Sequence, residues 1–257
     1  MQKIGFIFIF LFCHSLAYSQ RKINSKIRVL YILNALNSKK PNSKKLNKTF
    51  VLVASENKSV FLTANAYTLD SLKLENKNFQ ELSQYFEMHY QYQVFIDKNN
   101  INFSDSILGT EIGYKETNEM NWSLINEYKE ILGMKCQKAT ISKYGRKWIA
   151  YFSNNYPFSF GPYKFNGLPG LILEVQDSDN EYNFTAVEVK TYTKEYPISR
   201  FTNVKEVPKK DFLKIKDNLE SDFTLGGKIK YTLEFTKSLV DKYEEDKKYE
   251  NSIEKRE

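Results

Sequence analysis

The side chains able to do chemistry in this chain fall into three groups. Cys136 and His89 form the first. A cysteine becomes a nucleophile when a neighbouring base lowers its pKa. His89 is the histidine left to act as that base once an N-terminal leader carrying Cys13 and His14 is removed. Only the fold can bring the two together, and the competing reading of Cys136 is a buried small hydrophobe. Acidic residues form the second group. Asp177, Asp179, Asn180 and Glu181 offer calcium-type oxygens, but EF-hand spacing and its bend glycine are absent, which leaves a solvated turn. Glu174 and Glu111 are the carboxylates that a hydrolase reading would test, since a glycosidase-like pair leaves no local signature. One histidine and one cysteine cannot supply a zinc set. A Gly-x-Ser-x-Gly elbow and a P-loop are both missing, and no cofactor is implied.

The third group binds rather than reacts. Trp148, Tyr151, Phe152, Tyr156, Phe158, Phe160, Tyr163 and Phe165 crowd into one short stretch. Each ring buries about 150–250 Å², so the stretch is core, a binding surface, or both. One reading is ordinary core with one sheet edge. The other is an apolar cup or groove for a lipid-like ligand or a partner peptide. The binding candidates are therefore Trp148, Tyr151, Tyr156, Phe158, Phe160, Tyr163 and Phe165. Arg146 joins them as a charged neighbour that pairs with a carboxylate such as Glu174 if two hairpins lie side by side. The favoured chemistry is recognition, and the chain is read as a non-enzyme.

These residues must be held by a β-rich scaffold. Asn166-Gly167 favours positive φ at both residues, and Pro169-Gly170 presets a type II corner. The alternating aliphatics from Leu171 to Val175 follow at once, so Gly167, Leu168, Pro169, Gly170, Leu171 and Ile172 read as an architectural corner. It ends a loop shaped by Pro157, Gly161 and Pro162, which is placed over the mouth of a curved sheet. The clearest hairpin runs over 133–152 with its turn at Lys143-Tyr144-Gly145-Arg146, and a second over 171–190 turns at Asp177 to Asn180. Strands are expected at 24–33, 49–54, 59–63, 90–96 and 101–103, with ambiguous strand segments at 111–118 and 122–128. Asn78 with Glu81 predicts a capping box opening a helix over 78–89. Pro208 with Phe212, Ile215 and Leu219 predicts a second helix over 208–220. A strand is expected after Gly226-Gly227, through Ile229, Tyr231 and Leu233. The fold class is mainly β with two helices, a curved antiparallel sheet or half-open barrel that resembles lipoprotein-carrier folds in outline.

The leader is Lys3, the apolar run Ile4 to Phe12, and Ala17-Tyr18-Ser19, with cleavage before Gln20. The run is too short to span a bilayer, and Phe12 before Cys13 argues against lipidation. About 238 residues remain, read as one β-rich domain over 20–240 and a charged tail over 241–257 that is frayed helix or disordered. The net charge is +7, but the lysines are scattered rather than striped, which speaks against a nucleic-acid partner. No transmembrane span is expected after leader removal. The chain is read as exported, to the periplasm or outside the cell, with an outer-membrane association open.

The segment 133–175 resembles the GLPGLI family of exported Bacteroidetes-type proteins, through Gly167-Leu168-Pro169-Gly170-Leu171-Ile172. Upstream, Gly133-Met134-Lys135-Cys136-Gln137-Lys138-Ala139 and Gly145-Arg146-Lys147-Trp148-Ile149-Ala150-Tyr151-Phe152 are similar to that family's elements, and Pro157, Gly161, Pro162 and Phe165 fall where its pattern places them. Tyr163 stands where the family often has Trp. The resemblance implies an envelope protein whose genes neighbour TonB-dependent receptors. It thus adds an outer-membrane protein to the possible partners, with an accessory subunit of such a complex as the alternative function.

Overall fold

The computed structural model describes residues 22–74, 78–85, 90–97, 100–107, 110–197, 204–222 and 233–255. The expected leader, His89 and most of the strand expected after Gly226 lie outside them. Among the described residues, twelve strands form one sheet: β1 (Lys22–Ala35), β2 (Leu46–Ala54), β3 (Lys58–Thr63), β4 (Gln93–Asp97), β5 (Asn100–Ile107), β6 (Thr110–Thr117), β7 (Ser123–Ile131), β8 (Met134–Lys143), β9 (Arg146–Ser153), β10 (Leu171–Asp177), β11 (Tyr182–Pro197) and β12 (Lys205–Glu206). Their spatial order is β12-β6-β5-β4-β3-β2-β1-β11-β10-β9-β8-β7. All pairs are antiparallel except β12 with β6. The helices among the described residues are α1 (Ala64–Leu74), α2 (Phe79–Ser83), α3 (Lys209–Ser221) and α4 (Leu233–Lys248).

The curvature follows from this order. β6 and β7 stand near opposite ends of the sheet, yet only residues 118–122 join them. So short a link spans at most about 20 Å, so the sheet must bend its two ends toward each other. The result is a large curved antiparallel sheet that is not closed, as the sequence predicts.

Strand alternation sorts the core. In β1, Ile27, Val29, Tyr31 and Leu33 point into the concave side with Phe50, Leu52, Phe61, Trp148, Phe152 and Phe184. β2 and β3 are buried on both faces because α1 covers their convex side, where Val51, Val53, Val60, Leu62 and Ala66 form a second core. The sequence reading has no helix over 64–74. Its apolar residues make only a weak stripe, and its N-terminal signal is a single threonine, Thr63, whose Oγ1 accepts the Ala66 amide at 3.2 Å.

The other helices refine the expectations. Asn78 and Glu81 form the capping box, over a one-turn helix. Pro208 directly precedes α3, and Phe212 is buried. Leu233 opens α4 rather than extending a strand. The tail is helical through Lys248, and residues 249–255 then leave the helix and hydrogen-bond to the loop after β1 and the β8–β9 turn, with Asn251 buried.

Two hairpin turns carry left-handed residues at both central positions. Leu132-Gly133 (φ 53° and 73°) joins β7 to β8, and Tyr144-Gly145 (φ 55° and 68°) joins β8 to β9. Positive φ at both central residues defines a type I′ turn, whose first position favours Asn. Leu132 is 46% exposed and makes poor use of that position. Leu132→Asn should therefore stabilise the protein by about 0.5–1 kcal/mol, read as a higher midpoint in urea with an unchanged slope.

Candidate functional site

The sheet's concave side holds an open cavity of about 1330 Å³. Its wall is aromatic, with Tyr90, Tyr92, Phe103, Tyr114, Tyr144, Tyr163, Tyr182 and Phe212 among the lining residues. The rings touch in sequence: Tyr92 stacks on Phe103 at 5.4 Å, Phe103 on Tyr114 at 5.1 Å, and Phe212 meets Tyr114 edge-on at 5.0 Å. Burial drives the hydroxyls of Tyr92, Tyr114, Tyr144 and Tyr163 well above their ordinary pKa, so they stay neutral donors.

Three of these tyrosines sit in strained backbone. Tyr90, Tyr144 and Tyr163 have φ of 58°, 55° and 54°. A left-handed non-glycine residue costs about 1–3 kcal/mol and persists only where the surroundings hold it, which is common at ligand sites. Tyr144 takes a turn position that suits Asn or Gly, and Tyr163 follows Pro162 in a turn closed by the Phe165 amide on the Pro162 carbonyl at 3.1 Å.

The C-terminal segment 249–255 lies in the cavity's mouth and is held by two charged hubs. The first is Arg146, whose side chain is buried at the start of β9. A guanidinium has five N–H donors, and Arg146 has a partner for each. Nη1 donates to Asp177 and Glu181, both at 2.7 Å. Nη2 donates to Asn251 Oδ1 at 2.6 Å and the Ser252 carbonyl at 2.7 Å, and Nε donates to the Ile253 carbonyl at 3.2 Å. The ring of Tyr182 lies 4.9 Å from the guanidinium carbon.

The second hub is a square of two ammonium and two carboxylate groups. Lys164 lies 2.7 Å from Glu116 and 2.5 Å from Glu254, and Lys209 lies 3.0 Å from Glu116 and 2.6 Å from Glu254. Lys164 is fully buried and surrounded by the rings of Phe103, Tyr114, Tyr144 and Tyr163 at 4.7–5.4 Å. A buried ammonium persists only when paired and hydrogen-bonded. Tyr114 Oη completes its shell at 2.7 Å.

The sequence-derived candidates divide between core and cavity. Of them, Tyr163 and Arg146 line the cavity. Trp148, Phe160 and Phe165 are buried in the concave core, with Trp148 and Phe165 rings 4.7 Å apart. Tyr151, Tyr156 and Phe158 are half-buried beside that core, and Tyr151 carries Lys129 Nζ 3.9 Å over its ring. The loop between β9 and β10 is thus a plug within the bend and not a lid over it. Strand alternation explains this: Trp148, Ala150 and Phe152 share the inner face of β9, whereas Ile149 and Tyr151 face outward.

Arg146 pairs with Asp177 and Glu181, not with Glu174, because β9 register places Trp148 opposite Asp177. Glu174 pairs instead with Lys129 at 2.5 Å. Neither Glu174 nor Glu111 lines the cavity. Among the described residues Asp177, Asp179 and Glu181 lie close enough to hold a cation. Arg146 already supplies that cation to two of them, and Asp177 Oδ1 accepts the Glu181 and Tyr182 amides. Cys136 is buried, its Sγ 3.3 Å from the Met134 carbonyl, and burial raises its pKa.

The corner at 165–175 keeps its architectural character by different means. Gly167 is left-handed (φ 85°), but Asn166 and Gly170 are not. The Gly167 amide donates to the Ser159 carbonyl at 2.8 Å, and the Ile172 amide to Phe160 at 3.0 Å. Gly161 and Gly170 lack room for a side chain: a Cβ would fall 2.7 Å from Ile172 Cβ and from the Ser153 carbonyl carbon, respectively.

Two carboxylates give the seated tail a pH dependence. Burial alone would raise Glu254, but Lys164 and Lys209 outweigh it and hold the group at about 2. Burial likewise opposes, and Lys39, Arg146 and Asn251 outweigh, at Glu181, which also falls to about 2. Both folded values lie below the ordinary 4.5, so their stabilisation is complete above about pH 4.5 and disappears as pH falls toward 2. Melting temperature should hold near pH 7 and fall across that window. Glu254→Gln should melt lower than the parent at pH 7 and converge with it near pH 2.

No family model matches the chain, and no curated protein matches it. Its fold is similar to that of PNGF-II in two crystal forms. The TM-scores are 0.53 and 0.54 at 14% identity, over 76% of this chain and 34% and 33% of those chains. The chain therefore spans about a third of the length of the PNGF-II chains. At this identity the likeness is one of fold. Among the described residues, no helix is long and apolar enough to cross a membrane.

Proposed function

We propose that this chain is an exported cell-envelope protein that binds, without catalysis, an apolar ligand or partner segment against its curved sheet. The observation that carries this reading is the open, tyrosine-walled cavity of about 1330 Å³, larger than the roughly 300–1,000 Å³ of common small-molecule sites. Aromatic walls bind apolar matter at low entropic cost, and their hydroxyls give it orientation. The leader supports export. The test is a fluorescence titration of the mature chain with parinaric acid. Saturable binding is expected, weakened at least tenfold by Leu46→Arg at the exposed rim of the cavity. Absence of saturable binding to the folded parent protein would refute the reading.

A second reading, an accessory subunit of an outer-membrane receptor complex, draws support from β7. It is the last strand of the sheet, so among the described residues one of its edges is unpaired, and it exposes Leu124 and Tyr128. Such an edge is a ready template for strand addition. On this reading an outer-membrane protein co-purifies with the tagged mature chain, and Tyr128→Lys abolishes its recovery.

A further inference from the structure

The segment 249–255 is seated as a bound peptide would be. Its main chain is read at successive positions. The Tyr249 carbonyl accepts from the Lys39 amide at 2.8 Å, and the Asn251 amide donates to the Asn37 carbonyl at 2.9 Å. The Asn251 carbonyl accepts from the Tyr182 hydroxyl, those of Ser252 and Ile253 accept from Arg146, and the Lys255 amide donates to the Tyr144 carbonyl at 3.0 Å. Two side chains are read as well. Asn251 bonds Arg146 and, at 2.5 Å, the Leu36 carbonyl. Glu254 enters the pocket of Lys164, Lys209 and the Tyr163 hydroxyl, the last at 2.5 Å. The receptor side is built from the loop after β1, the β8–β9 turn and the β10–β11 turn, which register places at one end of the sheet. Gly145 belongs to it: a Cβ there would fall 2.8 Å from Lys255 Cβ.

We infer that this seat is an exchangeable site for a partner peptide carrying an amide and a carboxylate side chain three residues apart, and that the chain's own tail occupies it in the resting protein. The inference rests on the binding reading above and adds a polar peptide seat at the mouth of that cavity. Three features select a peptide over a simple acid. Arg146 addresses consecutive main-chain carbonyls, Tyr182 addresses the one before them, and two backbone groups pair in strand fashion, with Ser38 bridging Glu250. Charge and hydrogen bonding dominate the seat, Ile253 being its one aliphatic side chain packed on the core. A peptide of the same chemistry can therefore replace the tail, against a tethered competitor whose effective concentration is of order millimolar.

The test uses the full mature chain and a fluorescent synthetic peptide with the sequence of residues 249–257. In the double variant Asn251→Ala with Glu254→Gln, the tail loses both read side chains while Arg146, Lys164 and Lys209 remain. This variant is expected to bind the peptide at least tenfold more tightly than the parent protein, with faster hydrogen exchange at the tail amides. Should the double variant fold poorly, Glu254→Gln alone carries the same comparison. Equal peptide affinity in parent and variant would overturn the inference, as would tail amides that stay protected in both variants. Parinaric acid is titrated in parallel. Probe binding without peptide binding would remove the peptide site and leave the apolar cavity standing, whereas loss of both would remove the binding reading itself.

Discussion

Replacing Arg146 with alanine should lower stability by about 3–5 kcal/mol, the cost of leaving a buried charge without its partner, and free the C-terminal segment in the same step. Asp177 is buried with its Oδ2 on the guanidinium, and the hairpin turn it organises would keep the carboxylate and lose its counter-ion. Three acceptors on the tail, at Asn251, Ser252 and Ile253, would lose their donors at once. Arg146→Lys keeps the charge but offers three donors from one point, so it should retain the pairing with Asp177 and lose the tail carbonyls. Urea unfolding measures the first effect and protease cleavage after Lys248 the second. An Arg146→Ala protein within about 1 kcal/mol of the parent would show that this hub behaves as a surface ion pair.

Gly170→Val should prevent stable folding. The residue precedes Leu171, which pairs with Ser153, so two backbones meet there without a side chain between them. An added Cβ would lie 2.7 Å from the Ser153 carbonyl carbon, closer still to its oxygen, and 3.0 Å from Asn154 Oδ1. Backbone cannot rotate aside as a flexible side chain can. Even Gly170→Ala should cost about 3 kcal/mol or more, above the usual range for overpacking. Gly167→Ala is the control, because there the difficulty is conformational. At φ 85° with Met120 Cβ 3.5 Å away, alanine should cost only about 1–2 kcal/mol. Comparing the two by urea unfolding separates space from backbone angle. A soluble Gly170→Val protein with unaltered stability would contradict the close approach of β9 and β10.

What was legible in the sequence was local. Alternation over 133–152 and 171–190 places both hairpins, and Asn78 with Glu81 places a cap, because each signal is complete within a few residues. The aromatic stretch was legible as buried mass but not as wall or filling. That depends on which face of β9 turns inward and on the turn at Pro162–Phe165. Most of the cavity's tyrosines come from separate strands and loops, so no window of sequence shows them together. Tyr144 did leave a signal: an aromatic residue stands before Gly145 in a two-residue turn that suits Asn. The charged tail was least legible. Its composition resembles a solvated end, and its partners Arg146 and Lys164 lie about a hundred residues away, a pairing that only the curved sheet creates.

The proposed function requires the concave cavity to be a binding site. Tyrosine-ring NMR of residues 20–257 during titration with parinaric acid tests this most directly. Saturable shifts are expected at Tyr92, Tyr144 and Tyr182, which line the cavity, and none at Tyr67 and Tyr196, which stack at 5.2 Å on the convex side. Unchanged cavity rings, or shifts confined to the convex pair, would contradict it.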